Sequence, residues 1–259
     1  MGRLTAAGVR LTAGARTLLD DASFAAEPGL LTAIVGPNGA GKSTFLRALA
    51  GVAQPQAGRI ELDGAAVAAL RPAERARSIT ILVDETVEPA LTVREAVATG
   101  RFAHHQWWDW RRTDDDAAAG ADAIARVGLA ALADRPFGTL SSGERQRAWI
   151  ALALAQGARV MLLDEPTSHL DVRYAHEVLA LLHAIARDGA TVVVVLHDLN
   201  QAAQYADRVA LLAGGSIEGP AGAEAVLQPA ILERAYGVRF LAVDVCGVRR
   251  VFSTGSVAR

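Results

Sequence analysis

The stretch Gly36-Pro37-Asn38-Gly39-Ala40-Gly41-Lys42-Ser43-Thr44 leaves this chain the fewest choices. Its spacing is Gly, four residues, Gly, Lys, then Ser, and both flanks agree with it. Before it, Leu30-Leu31-Thr32-Ala33-Ile34-Val35 is short, apolar and β-branched, as a buried strand is. After it, Thr44-Phe45-Leu46-Arg47-Ala48-Leu49-Ala50 reads as the opening of a helix. Glycine at Gly36, Gly39 and Gly41 lets backbone N–H groups converge on phosphate oxygens with no Cβ in the way. The positive end of the helix dipole points at the same anion. Lys42 is placed to reach the outer phosphates, and the Ser43 hydroxyl suits Mg²⁺, which takes hard oxygen ligands. The pattern predicts a nucleoside-triphosphate site.

A second stretch, Val160-Met161-Leu162-Leu163-Asp164-Glu165-Pro166-Thr167-Ser168, describes a buried parallel strand whose C-terminal end meets a ligand crevice. Asp164 is placed to hold Mg²⁺, directly or through water. Glu165, the next residue, points elsewhere by strand alternation and is the candidate for orienting or deprotonating the attacking water. A third stretch, Leu140-Ser141-Ser142-Gly143-Glu144-Arg145-Gln146-Arg147, opens the apolar helix Ala148 to Ala155. It offers a hydroxyl, a flexible glycine and a helix N-terminus, while Ser141 with Glu144 also fits a plain capping box.

Around these stretches the chain alternates strand and helix. Residues 4 to 35 carry short apolar runs (Val9 to Leu11, Thr17 to Leu19, Ser23 to Ala25) that predict an antiparallel β-layer beside the nucleotide. Arg59 to Leu62 and Ser78 to Val83 read as further strands, the latter ending abruptly in Asp84-Glu85. From Thr92 to about Val127 the pattern is helical, interrupted by a polar and aromatic loop. The expected fold class is α/β: a phosphate-loop core with a mixed, largely parallel sheet, the N-terminal antiparallel layer and a helical subdomain.

Composition narrows the setting. With 259 residues and 51% hydrophobic content the chain can bury a sizeable core. A net charge of -2 gives no basic surface of the kind nucleic acid demands. The single cysteine, Cys246, cannot form an internal disulfide and is expected to be inert in a reducing compartment. No run approaches the ~20 apolar residues of a spanning helix, and the N-terminus lacks a signal-peptide core. A soluble intracellular protein is expected, with any membrane role supplied by a partner chain.

The order of the three stretches resembles that of the ATP-binding cassette (ABC) family. Leu140 to Glu144 looks like the family's signature motif, with Ser142 where glycine is commoner and Glu144 where glutamine is commoner. Ser168-His169-Leu170-Asp171 looks like the loop that crosses the dimer interface, and Val195-Leu196-His197-Asp198 like the switch-histidine segment. The resemblance runs from about residue 4 to about residue 240. It implies one nucleotide-binding domain over 1–259, with a helical subdomain at about 86–158 and a small appendage from about 220. It implies a head-to-tail homodimer holding two ATP molecules. Ser141, Ser142 and Gly143 of one copy would then meet the nucleotide bound to the partner's phosphate loop. Asp171 would lie at the interface, and His197 would contact the γ-phosphate and the attacking water. His104, His105, His169, His176 and His183 gain no comparable support and, apart from the loop position of His169, read as surface or packing residues.

Two departures stand out. The family's adenine-stacking aromatic has no match, because Ala13 occupies its position in Arg10-Leu11-Thr12-Ala13-Gly14. The family's Mg²⁺-ligating glutamine aligns with Asp84, with Glu85 one residue off; a carboxylate there ligates Mg²⁺ or merely caps the strand end. Within the family, Gln146 to Gln156 and Leu196 to Asp207 look like the ATPases of ferric-siderophore importers, and haem and cobalamin importers share much of this pattern. The resemblance thus implies a peripheral ATPase on the cytoplasmic face of the membrane. Its expected partners are integral-membrane permease subunits and, indirectly, a secreted substrate-binding protein. Trp107, Trp108 and Trp110 are candidate anchors for the permease or packing residues under their loop. Asp114-Asp115-Asp116 reads as a helix N-terminus favoured by the dipole. A soluble ABC protein without transport and a phosphate-loop kinase or GTPase are the rival classes; the signature stretch opposes the last.

Overall fold

The computed structural model describes residues 1–83, 90–105 and 113–256. Asp84, Glu85, Trp107, Trp108 and Trp110 lie outside the described residues. The chain opens with two long antiparallel strands, β1 (Leu4–Ala13) and β2 (Arg16–Ala26), where the sequence suggested shorter broken runs. Register shifts between Ala6 and Thr12 kink the ladder without ending it, which is why the apolar runs look interrupted. Strand β3 (Leu31–Val35) follows, then α1 (Lys42–Leu49), β4 (Ala57–Leu62), β5 (Ala65–Ala66), α2 (Pro72–Ser78) and β6 (Ile79–Leu82). Next come α3 (Val93–Ala98), α4 (Asp114–Arg126), α5 (Ser142–Gln156), β7 (Val160–Asp164), α6 (Val172–Arg187), β8 (Thr191–Val195) and α7 (Leu199–Tyr205). The chain continues through β9 (Arg208–Ala213), β10 (Ser216–Ala221), α8 (Ala223–Val226), α9 (Pro229–Tyr236), β11 (Val238–Val245) and β12 (Val248–Ser256).

Among the described residues the central sheet has the order β10-β9-β3-β8-β7-β6, parallel except at β10. The antiparallel layer, in the order β2-β1-β4-β5, covers one face of it. Two-residue alternation divides the sheet between two cores. Ile34, Leu162, Val193 and Val195 face the antiparallel layer and α1, where Phe24 meets Phe45 edge-on at 5.5 Å. Leu31, Ala33, Met161, Leu163, Val192 and Val194 face the opposite way, onto α5 and α6. Burial on both faces explains why these strands read as unbroken apolar runs.

Three helices in the 92–156 region start with the same device. Thr92, Thr113 and Ser141 each cap a helix whose third residue, Glu95, Asp116 or Glu144, reaches back to the cap. Asp116 does more than favour a dipole. Its side chain is 6% exposed and takes bonds from Arg101 Nε at 2.9 Å and His105 Nε2 at 2.8 Å. Burial works against its charge, but the Thr113 backbone, Arg101, the Thr113 hydroxyl and His105 outweigh it and hold the carboxyl well below its usual range. The β11–β12 hairpin, expected only as a small β-appendage, docks on α7. There Asn200 Oδ1 accepts from Val251 N at 2.9 Å and Asn200 Nδ2 donates to Val251 O at 3.1 Å. Among the described residues no helix is long and apolar enough to cross a membrane.

Candidate nucleotide site

Parallel neighbours bring the C-terminal ends of β3, β7 and β8 to one edge of the sheet, where open α/β sheets place their ligands. The turn out of β3 is the phosphate loop. A Cβ at Gly36 would lie 2.1 Å from the Leu212 backbone oxygen, and its φ is +150°. Gly36 is therefore required by the neighbouring strand β9 as well as by any phosphate, a reason the motif alone does not disclose. Pro37, Asn38, Gly39, Ala40 and Gly41 carry the chain to α1, whose first residues are Lys42, Ser43 and Thr44. Tyr236 reaches this loop from α9: burial pushes its hydroxyl up to about 12, opposed by a hydrogen bond from the Gly36 backbone.

Lys42 is 5% exposed, and its Nζ donates to Gly36 O at 2.8 Å and Pro37 O at 3.1 Å. Burial lowers its pKa, while the nearby carboxylates of Glu165 and Asp164 act in the opposite direction. Asp164 ends β7. Burial raises its pKa, a hydrogen bond from the Ser43 hydroxyl lowers it, and Glu165 adds a smaller upward push. Its Oδ1 is buried and has no hydrogen-bond partner. An orphaned carboxylate oxygen beside a serine hydroxyl is the donor chemistry of a hard cation that is shared with phosphate oxygens. Among the described residues no three His, Cys, Asp or Glu side chains converge on one point. The residues present thus fit Mg²⁺ held partly by the nucleotide.

Glu165 is aimed by a turn and not by strand alternation, the reason the sequence suggested. It lies one residue past β7 with φ +52°, the left-handed region that costs a non-glycine residue about 1–2 kcal/mol. Glu165 N donates to Val195 O at 3.2 Å, and the Ser168 hydroxyl donates to Glu165 Oε2 at 3.1 Å. Asp164 pairs with Val195 in the β7–β8 register, so His197, two residues past β8, arrives beside Glu165. His197 Nε2 and Glu165 Oε1 are 2.5 Å apart. His197→Ala is expected to lower ATP hydrolysis by about two orders of magnitude while leaving ATP affinity near wild type. Equal losses of binding and hydrolysis, measured by nucleotide titration and phosphate release, would remove His197 from the catalytic step.

A pocket of 550 Å³ above the loop is lined by Ala13, Arg16, Lys42, Ser43, Glu165 and His197, among others. An adjoining hollow of 430 Å³ is lined by Ser43, Arg47, Ser142, Asp164, Glu165 and Ser168. Ser141 and Gly143 line neither. Ser141 caps α5 and accepts from Glu144 N at 3.4 Å, yet its residue is exposed. Gly143 is not a flexible hinge. It lies inside α5, where a Cβ would come within 2.7 Å of the Tyr174 ring, so it lets α5 pack closely on α6. Asp171 caps α6 by accepting from Tyr174 N at 2.9 Å. His176 and His183 bond to Tyr205, consistent with packing. Arg16, Arg47 and the Ser168 hydroxyl were not singled out as site residues by the motifs; the two-residue turn that brings Arg16 opposite Ala13 was the available signal for the first.

A strand, phosphate loop and helix at the carboxyl edge of a parallel sheet, with an acidic pair and a histidine from the next two strands, define a phosphate-loop nucleotide-binding protein. A family model described as ABC transporter matches residues 19–168. The ferric enterobactin transport ATP-binding protein FepC of Escherichia coli (strain K12) is 38% identical over 263 residues, covering 100% of this chain and 96% of that protein. The hemin import ATP-binding protein HmuV of Nocardia farcinica is 47% identical over 223 residues, covering 86% of this chain and 76% of that protein. A solved structure of a metal-chelate type ABC transporter in an inward-facing conformation matches with a TM-score of 0.83 at 26% identity, covering 99% of this chain and 98% of that one. This chain belongs to the ABC transporter family and is an ATP-binding ATPase of that family.

Proposed function

We propose that this chain is the ATP-hydrolysing subunit of an importer, working as a homodimer against integral-membrane permease subunits and drawing on an extracytoplasmic substrate-binding protein. It is a single nucleotide-binding domain, with a helical subdomain over about 86–158 and an appendage from about 220. The observation that carries the reading is the convergence of Lys42, the Ser43–Asp164 pair and the Glu165–His197 contact at one edge of the sheet. Lys42 and the backbone of residues 36–44 hold the phosphates. Ser43 and Asp164 would hold Mg²⁺, which would supply charge neutralisation for the phosphates. Glu165 accepts the proton of the attacking water, and His197 keeps that carboxylate aimed and meets the γ-phosphate. Asp84 is the further metal ligand we favour, with Glu85 as its alternative.

Ser141 and Gly143 stand outside the pocket of their own chain, which supports a second copy supplying them across an interface that includes Asp171. The site is then complete only in an ATP-bound dimer. The subunit acts at the cytoplasmic face of the membrane, and the stretch of sequence that carries Trp107, Trp108 and Trp110 is a candidate permease contact. The cargo we favour is a ferric siderophore, on the full-length likeness to the enterobactin protein. Haem is the second reading, on the higher identity to the hemin protein. Co-expression with a candidate permease from the same source is expected to yield a detergent-stable complex whose ATPase activity supports uptake of labelled ferric siderophore by vesicles. Uptake of haem alone moves the cargo to the second reading. Absence of any complex with a permease argues for a soluble ABC protein without transport.

A further inference from the structure

Among the described residues the pocket over the phosphate loop has no Phe, Tyr or Trp in its lining. Phosphates arriving there meet Lys42 and the loop N–H groups, but the base of a nucleotide has no aromatic ring to lie on. We propose that Arg16 holds the adenine by laying its guanidinium plane against the ring, doing for this chain what an aromatic side chain at Ala13 would do. The proposal rests on the pocket being the ATP site.

Four observations lead to Arg16. First, Ala13 and Arg16 are direct cross-strand partners on either side of the two-residue turn Gly14-Ala15. Directly opposed residues share a face of the ladder, with Cβ atoms about 5 Å apart. The space that Ala13 leaves open is therefore within reach of Arg16, and both residues line the 550 Å³ pocket. Second, the guanidinium already extends over the loop: Arg16 Nη1 is 3.9 Å from the position of a Cβ at Gly39. Third, Arg16 is exposed, and among the described residues its guanidinium makes no hydrogen bond or ion pair. Asp20, which shares an adjoining hollow with Arg16, is already engaged by Arg10 Nε at 2.8 Å. Fourth, a guanidinium is planar and weakly hydrated, so it stacks on a heteroaromatic ring where an ammonium does not.

The test is equilibrium titration of the full chain with ATP and, separately, with inorganic tripolyphosphate, for wild type, Arg16→Ala, Arg16→Tyr and Arg16→Lys. Stacking on the base predicts that Arg16→Ala weakens ATP binding by roughly 5- to 30-fold and leaves tripolyphosphate binding unchanged. Arg16→Tyr then restores ATP affinity, because it returns a flat ring to the same face, and Arg16→Lys does not. Equal losses for ATP and tripolyphosphate, repaired by Arg16→Lys, overturn the proposal in favour of a phosphate contact. Wild-type ATP affinity in Arg16→Ala overturns it outright. A wild-type chain that binds tripolyphosphate no more weakly than ATP removes base recognition altogether. Failure of the wild-type chain to bind ATP strikes the nucleotide-site reading itself, an outcome distinct from the others.

Discussion

Lys42→Ala is expected to lower ATP hydrolysis by at least about 10²–10³-fold and nucleotide affinity by roughly 10- to 100-fold, the worth of hydrogen bonds to a charged group at about 1.5–3 kcal/mol. Lys42 Nζ is tied to the Gly36 and Pro37 carbonyls, with one of its three protons to spare. Those bonds hold the ammonium within the loop that a phosphate would enter, so binding exchanges partners without reorganising the loop. Alanine removes the only lysine lining the pocket and leaves Asp164 and Glu165 facing the phosphates with less positive charge between them. Because the variant also leaves two carbonyls without that donor, circular dichroism and a thermal melt should accompany the titration. A folded variant with wild-type turnover would overturn the assignment of this loop as the phosphate site.

Glu165→Gln is expected to separate binding from chemistry. Hydrolysis should fall by about 10²–10⁴-fold, because a carboxamide cannot take the water's proton, while ATP binding persists or tightens. Removing a negative charge beside the phosphates and beside Asp164 favours the anionic ligand. The amide can still meet His197 and the Ser168 hydroxyl, so the turn at φ +52° keeps its local bonds. With hydrolysis blocked, the proposed two-fold assembly should accumulate, and sedimentation with ATP and Mg²⁺ should show a dimer. A species that stays monomeric at saturating nucleotide would count against the shared site. A dimer that hydrolyses at the wild-type rate would count against Glu165 as the base.

Much of the catalytic edge was legible because its determinants are local in the chain. The bounds of β3, β7 and β8 follow from apolar runs that end in glycine, aspartate and histidine segments, and the observed strands lie within one residue of those runs. A phosphate loop also needs only neighbouring residues to form. The capping boxes at Thr92, Thr113 and Ser141 belong to the same kind of information, although only the last was read.

Other features rest on residues distant in sequence. That His197 meets Glu165 depends on Asp164 standing opposite Val195, and a register between separate strands leaves no mark in either strand alone. The left-handed turn at Glu165 is held by the Val195 carbonyl, so alternation within β7 does not govern where that side chain points. Gly143 looked flexible because its neighbours are serine and glutamate, yet Tyr174, on the next helix, is what excludes a Cβ. Asp116 looked like one acid among three, until Arg101 and His105 closed over it. By itself, then, the sequence determined the kind of chemistry: a phosphate loop, a carboxylate pair and a histidine on consecutive strand ends. Only the tertiary structure decided which of those groups touch, and that Arg16 stands across from Ala13 over the pocket, because contact is set by register and packing rather than by residue order.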